Sequence, residues 1–135
     1  MSDYRAILKE NDLKSTHQRV AILQFIEKAG HIDIETLLEK LKVNYPTMSQ
    51  GTLYRNLHDL KEKGILLEVK TTQQRQKYEI KKEPHIHLEC EKCGRLDDFK
   101  ISTTALKSSV EVNSGYKINS ANVLFSGLCQ NCIDE

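Results

Sequence analysis

The chain has 135 residues, 39% hydrophobic and 29% charged, a balance that suits one globular domain or two small ones and excludes a disordered polymer. No stretch approaches the roughly 18–20 apolar residues that span a bilayer, and the charged start Met1-Ser2-Asp3-Tyr4-Arg5 is unlike a signal peptide, so a cytoplasmic protein with reduced thiols is expected. The net charge of +1 divides unevenly: residues 1–84 carry 15 Lys and Arg against 12 Asp and Glu, residues 85–135 carry 5 against 7, which permits nucleic-acid binding by the first part without requiring it.

The first part reads as short helices. Tyr4, Ile7 and Leu8 give a brief helical opening, and Thr16 is placed to cap a helix running to about Ala29, with Val20, Leu23 and Ile26 inward and Gly30 as its stop. Asp33 caps a third, in which Ile34, Leu37, Leu38 and Leu41 follow helical spacing. Residues 43–48, with Pro46, read as a loop. Ser49 caps a fourth helix, whose Leu53, Leu57 and Leu60 face inward and which stops at Gly64. Residues 65–70 and 76–80 are rich in strand formers, with the polar turn 71–75 between them. Helices followed by such a hairpin make a winged helix-turn-helix, expected over residues 1–80.

Lys81-Lys82-Glu83-Pro84 breaks the composition and reads as a hinge. Beyond it, residues 85–90 and 95–101 look like strands, 102–114 like a helix stopped at Gly115, and 116–128 like one or two strands. The fold class expected is α+β, with residues 85–135 forming a second domain too small to hold together without metal, disulfide or a partner subunit.

All four cysteines fall into Cys-x-x-Cys pairs, Cys90/Cys93 and Cys129/Cys132, each where a strand ends in a tight turn. Four thiolates suit a closed, tetrahedral, structural Zn²⁺. A disulfide framework, a redox dithiol and unrelated buried cysteines are the competing readings. Reduced thiols argue against the first, and the use of every cysteine in a pair argues against the last.

On a strand, His85 and His87 share a face, which leaves Ile86 and Leu88 to face the core. Such a pair is often two surface histidines. Glu79 upstream and Asp98 on the next strand offer a mixed imidazole and carboxylate set, however, which suits Fe²⁺, Mn²⁺ or Zn²⁺.

Taken in order, helix-turn-helix, hinge, His-x-His, Cys-x-x-Cys-Gly and a terminal Cys-x-x-Cys closely resemble the ferric uptake regulator (Fur) family across essentially the whole chain. Pro46-Thr47-Met48-Ser49-Gln50-Gly51-Thr52-Leu53-Tyr54-Arg55-Asn56-Leu57 resembles its recognition-helix motif, and His85-Ile86-His87-Leu88-Glu89-Cys90-Glu91-Lys92-Cys93-Gly94 its metal-binding signature. The resemblance implies a repressor that binds operator DNA, an AT-rich palindrome, as a homodimer. It also implies a four-cysteine zinc in a dimerisation domain and a regulatory Fe²⁺ or Mn²⁺ held by His31, Glu79, His85, His87 and Asp98. His31 enters this set on the resemblance alone.

The polar face of the 49–63 helix offers Gln50, Thr52, Tyr54, Arg55 and Asn56 for base edges, with Arg suited to guanine and Asn or Gln to adenine. Ser49, Thr52, Lys14, Arg19 and Lys61 are the phosphate-contact candidates, against the plain reading of a solvated helix face. Thr16-His17-Gln18-Arg19 departs from the family's usual Thr-Pro-Gln-Arg, which alters entry into the second helix.

Within the family, Asp98 resembles the peroxide-stress (PerR-type) branch, where iron sensors usually place Glu, whereas Glu79 resembles the iron-type choice. A further family site is missing, since Pro84 and Ile86 stand at its positions, and no histidine follows His87. The resemblance therefore leans to peroxide sensing, in which Fe²⁺ reacts with peroxide and a ligand histidine, His31 or His85, is oxidised. An iron-responsive repressor is the alternative, followed by a zinc or manganese sensor. A metallohydrolase built on the same histidines lacks any substrate motif or nucleophile, and a zinc-ribbon module binding protein through its helical half is the third reading.

Overall fold

The chain folds as two units in the computed structural model, which describes residues 3–72, 76–82 and 84–134. One unit runs to Lys70 and resumes for the strand that ends it at Lys81; the other takes in Thr71 and Thr72 and runs from Lys82 onward.

In the first unit, each of the first four helices begins at a residue whose side chain accepts a backbone N–H of the first turn. These are α1 (Tyr4–Glu10) at Asp3, α2 (His17–Ala29) at Thr16, α3 (Ile34–Lys42) at Asp33 and α4 (Gln50–Glu62) at Ser49. Gly30 ends α2 at φ +80°, a backbone conformation in which a Cβ is strained. The apolar positions of these helices bury Leu8, Ile22, Leu23, Ile26, Leu37, Leu41, Leu53, Leu57 and Leu60 in one core. Val20, Ile34 and Leu38 pack at its margin, half-buried. The hairpin is β2 (Leu66–Val69) against β3 (Lys77–Ile80), antiparallel, with Leu66 opposite Ile80 and Val69 opposite Lys77. Of the turn expected at 71–75, residues 73–75 lie outside the described residues. A strand not anticipated from the sequence, β1 (Ile32–Asp33), pairs with the other side of β3, so the wing is three-stranded in the order β1-β3-β2.

The second unit is a sheet of β4 (His85–Cys90), β5 (Leu96–Lys100) and β6 (Leu124–Gly127) in the order β5-β4-β6, with α5 (Thr104–Ser114) between β5 and β6. β5 runs antiparallel to β4, and β6 runs parallel to it. Of the one or two strands expected over 116–128, only β6 forms. Gly115, in the left-handed region, stops α5 as expected.

The expectation that Leu88 faces a core is not met. Ile86 is buried at 7% exposure, but Leu88 is 38% exposed, as are its neighbours Phe99 and Phe125 at 53% and 59%. Ile86 stands opposite Phe99, and Leu88 opposite Phe125, so these four side chains share one face of the sheet. Among the described residues of this unit, no second apolar layer covers that face: α5 buries none of its residues, and Leu106 and Val110 on it are exposed. Among the described residues, no helix is long and apolar enough to cross a membrane.

Candidate functional site

The two cysteine pairs meet because β4 and β6 are parallel. Parallel strands bring their C-terminal ends to the same edge of a sheet, and Cys90 ends β4 while Cys129 follows β6 by two residues. Each pair closes as a tight knuckle. Cys90 N–H bonds to Arg95 O at 2.9 Å, and Gly94, at φ +79°, returns its N–H to Cys90 O at 3.0 Å. Cys132 and Ile133 donate to Cys129 O at 2.9 and 3.0 Å. The four sulfurs all lie within 4.8 Å of one another, and Cys93 Sγ stands 3.8 Å from Cys129 Sγ. Tetrahedral Zn–S bonds of about 2.3 Å require sulfurs about 3.8 Å apart. No disulfide joins them.

The electrostatics favour a thiolate. The N–H groups of Cys93 and Cys129 point at Cys90 Sγ from 3.5 and 3.4 Å and lower its pKa to about 6. The Cys132 thiol, hydrogen-bonded to Cys129, is pushed up to about 12. The cluster fits a closed structural zinc site, with no position left for a substrate.

Within each unit, a group of histidine and carboxylate side chains meets. In the first, His31 follows the Gly30 stop and precedes β1. Since Ile32 pairs with Tyr78, the register continues to His31 opposite Glu79, and His31 Nε2 lies 3.0 Å from Glu79 Oε2. Glu79 is 1% exposed. Nothing in the local sequence around His31 marks this pairing, because it depends on the unanticipated β1.

In the second group, His85 and His87 alternate along β4 onto one face, as strand geometry demands, and their Nε2 atoms lie 3.2 Å apart. His87 stands opposite Asp98 on β5. Asp98 Oδ1 lies 3.5 Å from His87 Nε2 and 3.8 Å from His85 Nε2. Two imidazoles and a carboxylate thus turn three donor atoms to one point. Lys82 contacts the other oxygen, Oδ2. The neighbouring Glu89, buried at 4% exposure, accepts from the N–H of Thr72 at 3.1 Å and from its hydroxyl.

On α4 the outward stripe is Gly51, Tyr54, Arg55 and His58, at helical spacing, with Gln50 and Ser49 exposed at its start. His58 escaped the sequence reading, though its spacing from Tyr54 and Arg55 was a usable signal. Thr52 Oγ1 accepts from Ser49 Oγ at 3.0 Å and from Arg55 at 3.2 Å, which draws the Arg55 side chain back along the helix. Lys14 is exposed. Three other candidates have partners within the chain: Arg19 Nε donates to Asn56 Oδ1, Asn56 Nδ2 donates to Thr52 O, and Lys61, exposed on the surface, pairs with Glu68 of β2.

Comparison with known proteins agrees with this layout. The model of the ferric uptake regulator family matches residues 10–126. The chain is 28% identical over 127 residues to the peroxide operon regulator of Bacillus subtilis, covering 93% of this chain and 88% of that protein. It is 28% identical over 132 residues to the transcriptional regulator FurA of Mycobacterium tuberculosis, covering 96% and 90%. The crystal structure of the Campylobacter jejuni peroxide stress regulator superposes with a TM-score of 0.74 at 31% identity, covering 97% of this chain and all of that one.

Proposed function

We propose that this chain, which belongs to the ferric uptake regulator family of transcriptional regulators and so is no enzyme, is a cytoplasmic homodimeric repressor whose grip on operator DNA follows a regulatory Fe²⁺ or Mn²⁺ and is released by peroxide. The observation that carries the reading is the convergence of His85 Nε2, His87 Nε2 and Asp98 Oδ1 within 3.8 Å of one another. Imidazoles and carboxylate are the donors that Fe²⁺ and Mn²⁺ accept and that a thiolate-loving ion does not need.

His85, His87 and Asp98 would hold the ion together with His31 and Glu79 from the other unit. A ligand set contributed by both units gives the ion different affinity for different arrangements of them, which is what a metal-dependent switch requires. When bound, Fe²⁺ supplies a centre that peroxide oxidises, whereas Mn²⁺ supplies one that it does not. Tyr54 and Arg55 would read base edges in the major groove, with Gln50 beside them and Ser49, Thr52 and Lys14 on phosphates. The sheet face of Leu88, Phe99 and Phe125, with α5, supplies apolar surface that a second copy of the chain would cover. In a dimer the two copies of α4 then address half-sites about 34 Å apart on a palindromic, AT-rich operator.

Peroxide sensing is supported by Asp98 and by the likeness to two peroxide regulators; Glu79 and the likeness to FurA keep iron sensing as the alternative. The test is operator binding by the zinc-loaded dimer, with Fe²⁺ or Mn²⁺ added, before and after hydrogen peroxide. Lasting loss of binding with Fe²⁺ alone is the expected result. Binding that follows iron supply and ignores peroxide establishes the alternative, and binding indifferent to Fe²⁺ and Mn²⁺ overturns both.

A further inference from the structure

The two oxygens of Asp98 face different charges. Oδ1 is turned to the imidazole pair, 3.5 Å from His87 Nε2 and 3.8 Å from His85 Nε2, while Oδ2 is ion-paired with the Lys82 ammonium. Lys82 stands three residues before His85, in the segment leading into β4, with its side chain 43% exposed against 22% for Asp98.

An ammonium in this place acts on metal binding in three ways, all with the same sign. It occupies the second oxygen, so Asp98 can offer an ion only one. It draws electron density from the carboxylate and makes Oδ1 a poorer donor. It also fixes a positive charge beside a site meant for a divalent cation, and like charges repel through a half-buried medium much more strongly than through bulk water. A plain surface ion pair, by contrast, contributes little to stability and has no bearing on metal affinity.

We propose that Lys82 is a built-in cationic competitor for Asp98, which weakens the regulatory site and so sets the metal concentration at which the switch closes. The inference rests on the regulatory-ion reading and deepens it, since Lys82 is not itself a ligand.

The experiment is Mn²⁺ titration of the full-length, zinc-loaded protein, followed by the disappearance of the free-ion paramagnetic signal, with zinc content and thermal melting measured alongside. Lys82→Met is expected to bind Mn²⁺ about tenfold more tightly than the wild type, equivalent to about 1.4 kcal/mol. Lys82→Arg, which keeps the charge, should stay within about twofold. In an Asp98→Asn background the Lys82→Met gain should shrink to less than about threefold. Lys82→Met binding that is unchanged or weaker, with zinc and melting temperature retained, overturns the proposal. A wild type that takes up no Mn²⁺ beyond its zinc overturns the regulatory-ion reading itself, and the role of Lys82 with it.

Discussion

Arg19 at the start of α2 donates from Nε to Oδ1 of Asn56 in the middle of α4, at 3.1 Å. Its other nitrogens reach Asp59 Oδ2 at 3.3 Å and the Lys14 carbonyl at 3.2 Å, so one guanidinium ties the second helix to the helix proposed to read DNA. Arg19→Ala should therefore lower unfolding free energy by about 1–3 kcal/mol. Asn56→Ala added to it should cost less than it does alone, because the two share one network. Urea midpoints of the four proteins in the cycle measure this. In DNA binding, the salt dependence of Arg19→Ala should stay close to wild type while discrimination between operators falls; a slope reduced by about one phosphate contact would show that the side chain leaves Asn56 for the DNA backbone.

The cysteine cluster should behave as scaffold. Cys93→Ser, or zinc removal by a strong chelator, should unfold the second unit, whose α5 buries no side chain and whose sheet is otherwise half-covered. Far-ultraviolet circular dichroism should lose its sheet contribution, and gel filtration should show the dimer lost. A chelated protein that keeps its sheet and its dimer refutes the structural role.

His87→Ala should spare the zinc and strike the other site. With His87 only 8% exposed and its Nε2 aimed at His85 and Asp98, its loss should weaken Mn²⁺ binding by at least about tenfold while zinc content is unchanged. Metal analysis after dialysis against Mn²⁺ distinguishes the two ions, and equal Mn²⁺ retention by variant and wild type contradicts the assignment.

The exposed face of the second sheet predicts its own partner. Phe125→Asp places a charge opposite Leu88, at a position 59% exposed in the single chain, so the monomer should tolerate it. A homodimer that covers this face should not. Sedimentation velocity should show a monomer that still holds zinc, and an intact Phe125→Asp dimer would move the interface elsewhere.

Tyr78 gives a pH dependence with a definite sign. Burial is the main reason its phenol rises from 10 to about 12, and the neighbouring Tyr54 and Glu68 side chains add to it. The folded state therefore keeps the proton longer than the unfolded chain does. The stabilisation is complete below pH 10 and disappears as pH rises from 10 to 12, an effect of up to about 2 kcal/mol. Tyr78→Phe has no such proton, so its urea midpoint should fall less than that of the wild type between pH 9.5 and 11.5. Parallel curves would mean that the phenol ionises freely in the folded protein.

Much was legible before folding because it is local. Thr16, Asp33 and Ser49 announce their helices within three residues of chain, as their cap hydrogen bonds show. A Cys-x-x-Cys pair announces its knuckle within four residues, and strand alternation brings His85 and His87 to one face.

What the tertiary structure decided is cross-chain register. The short β1 puts His31 beside Glu79; the pairing of β4 with β5 puts Asp98 beside His87; and the parallel course of β6 brings Cys129 and Cys132 to Cys90 and Cys93. The packing of α2 against α4 withdrew Arg19 and Asn56 into each other, and the sheet of the second unit left Leu88 without a core. The physical reason is range. Caps, turns and alternation are settled by neighbours a few bonds away, whereas which strands pair, and which apolar face goes uncovered, depends on how the whole chain buries its surface.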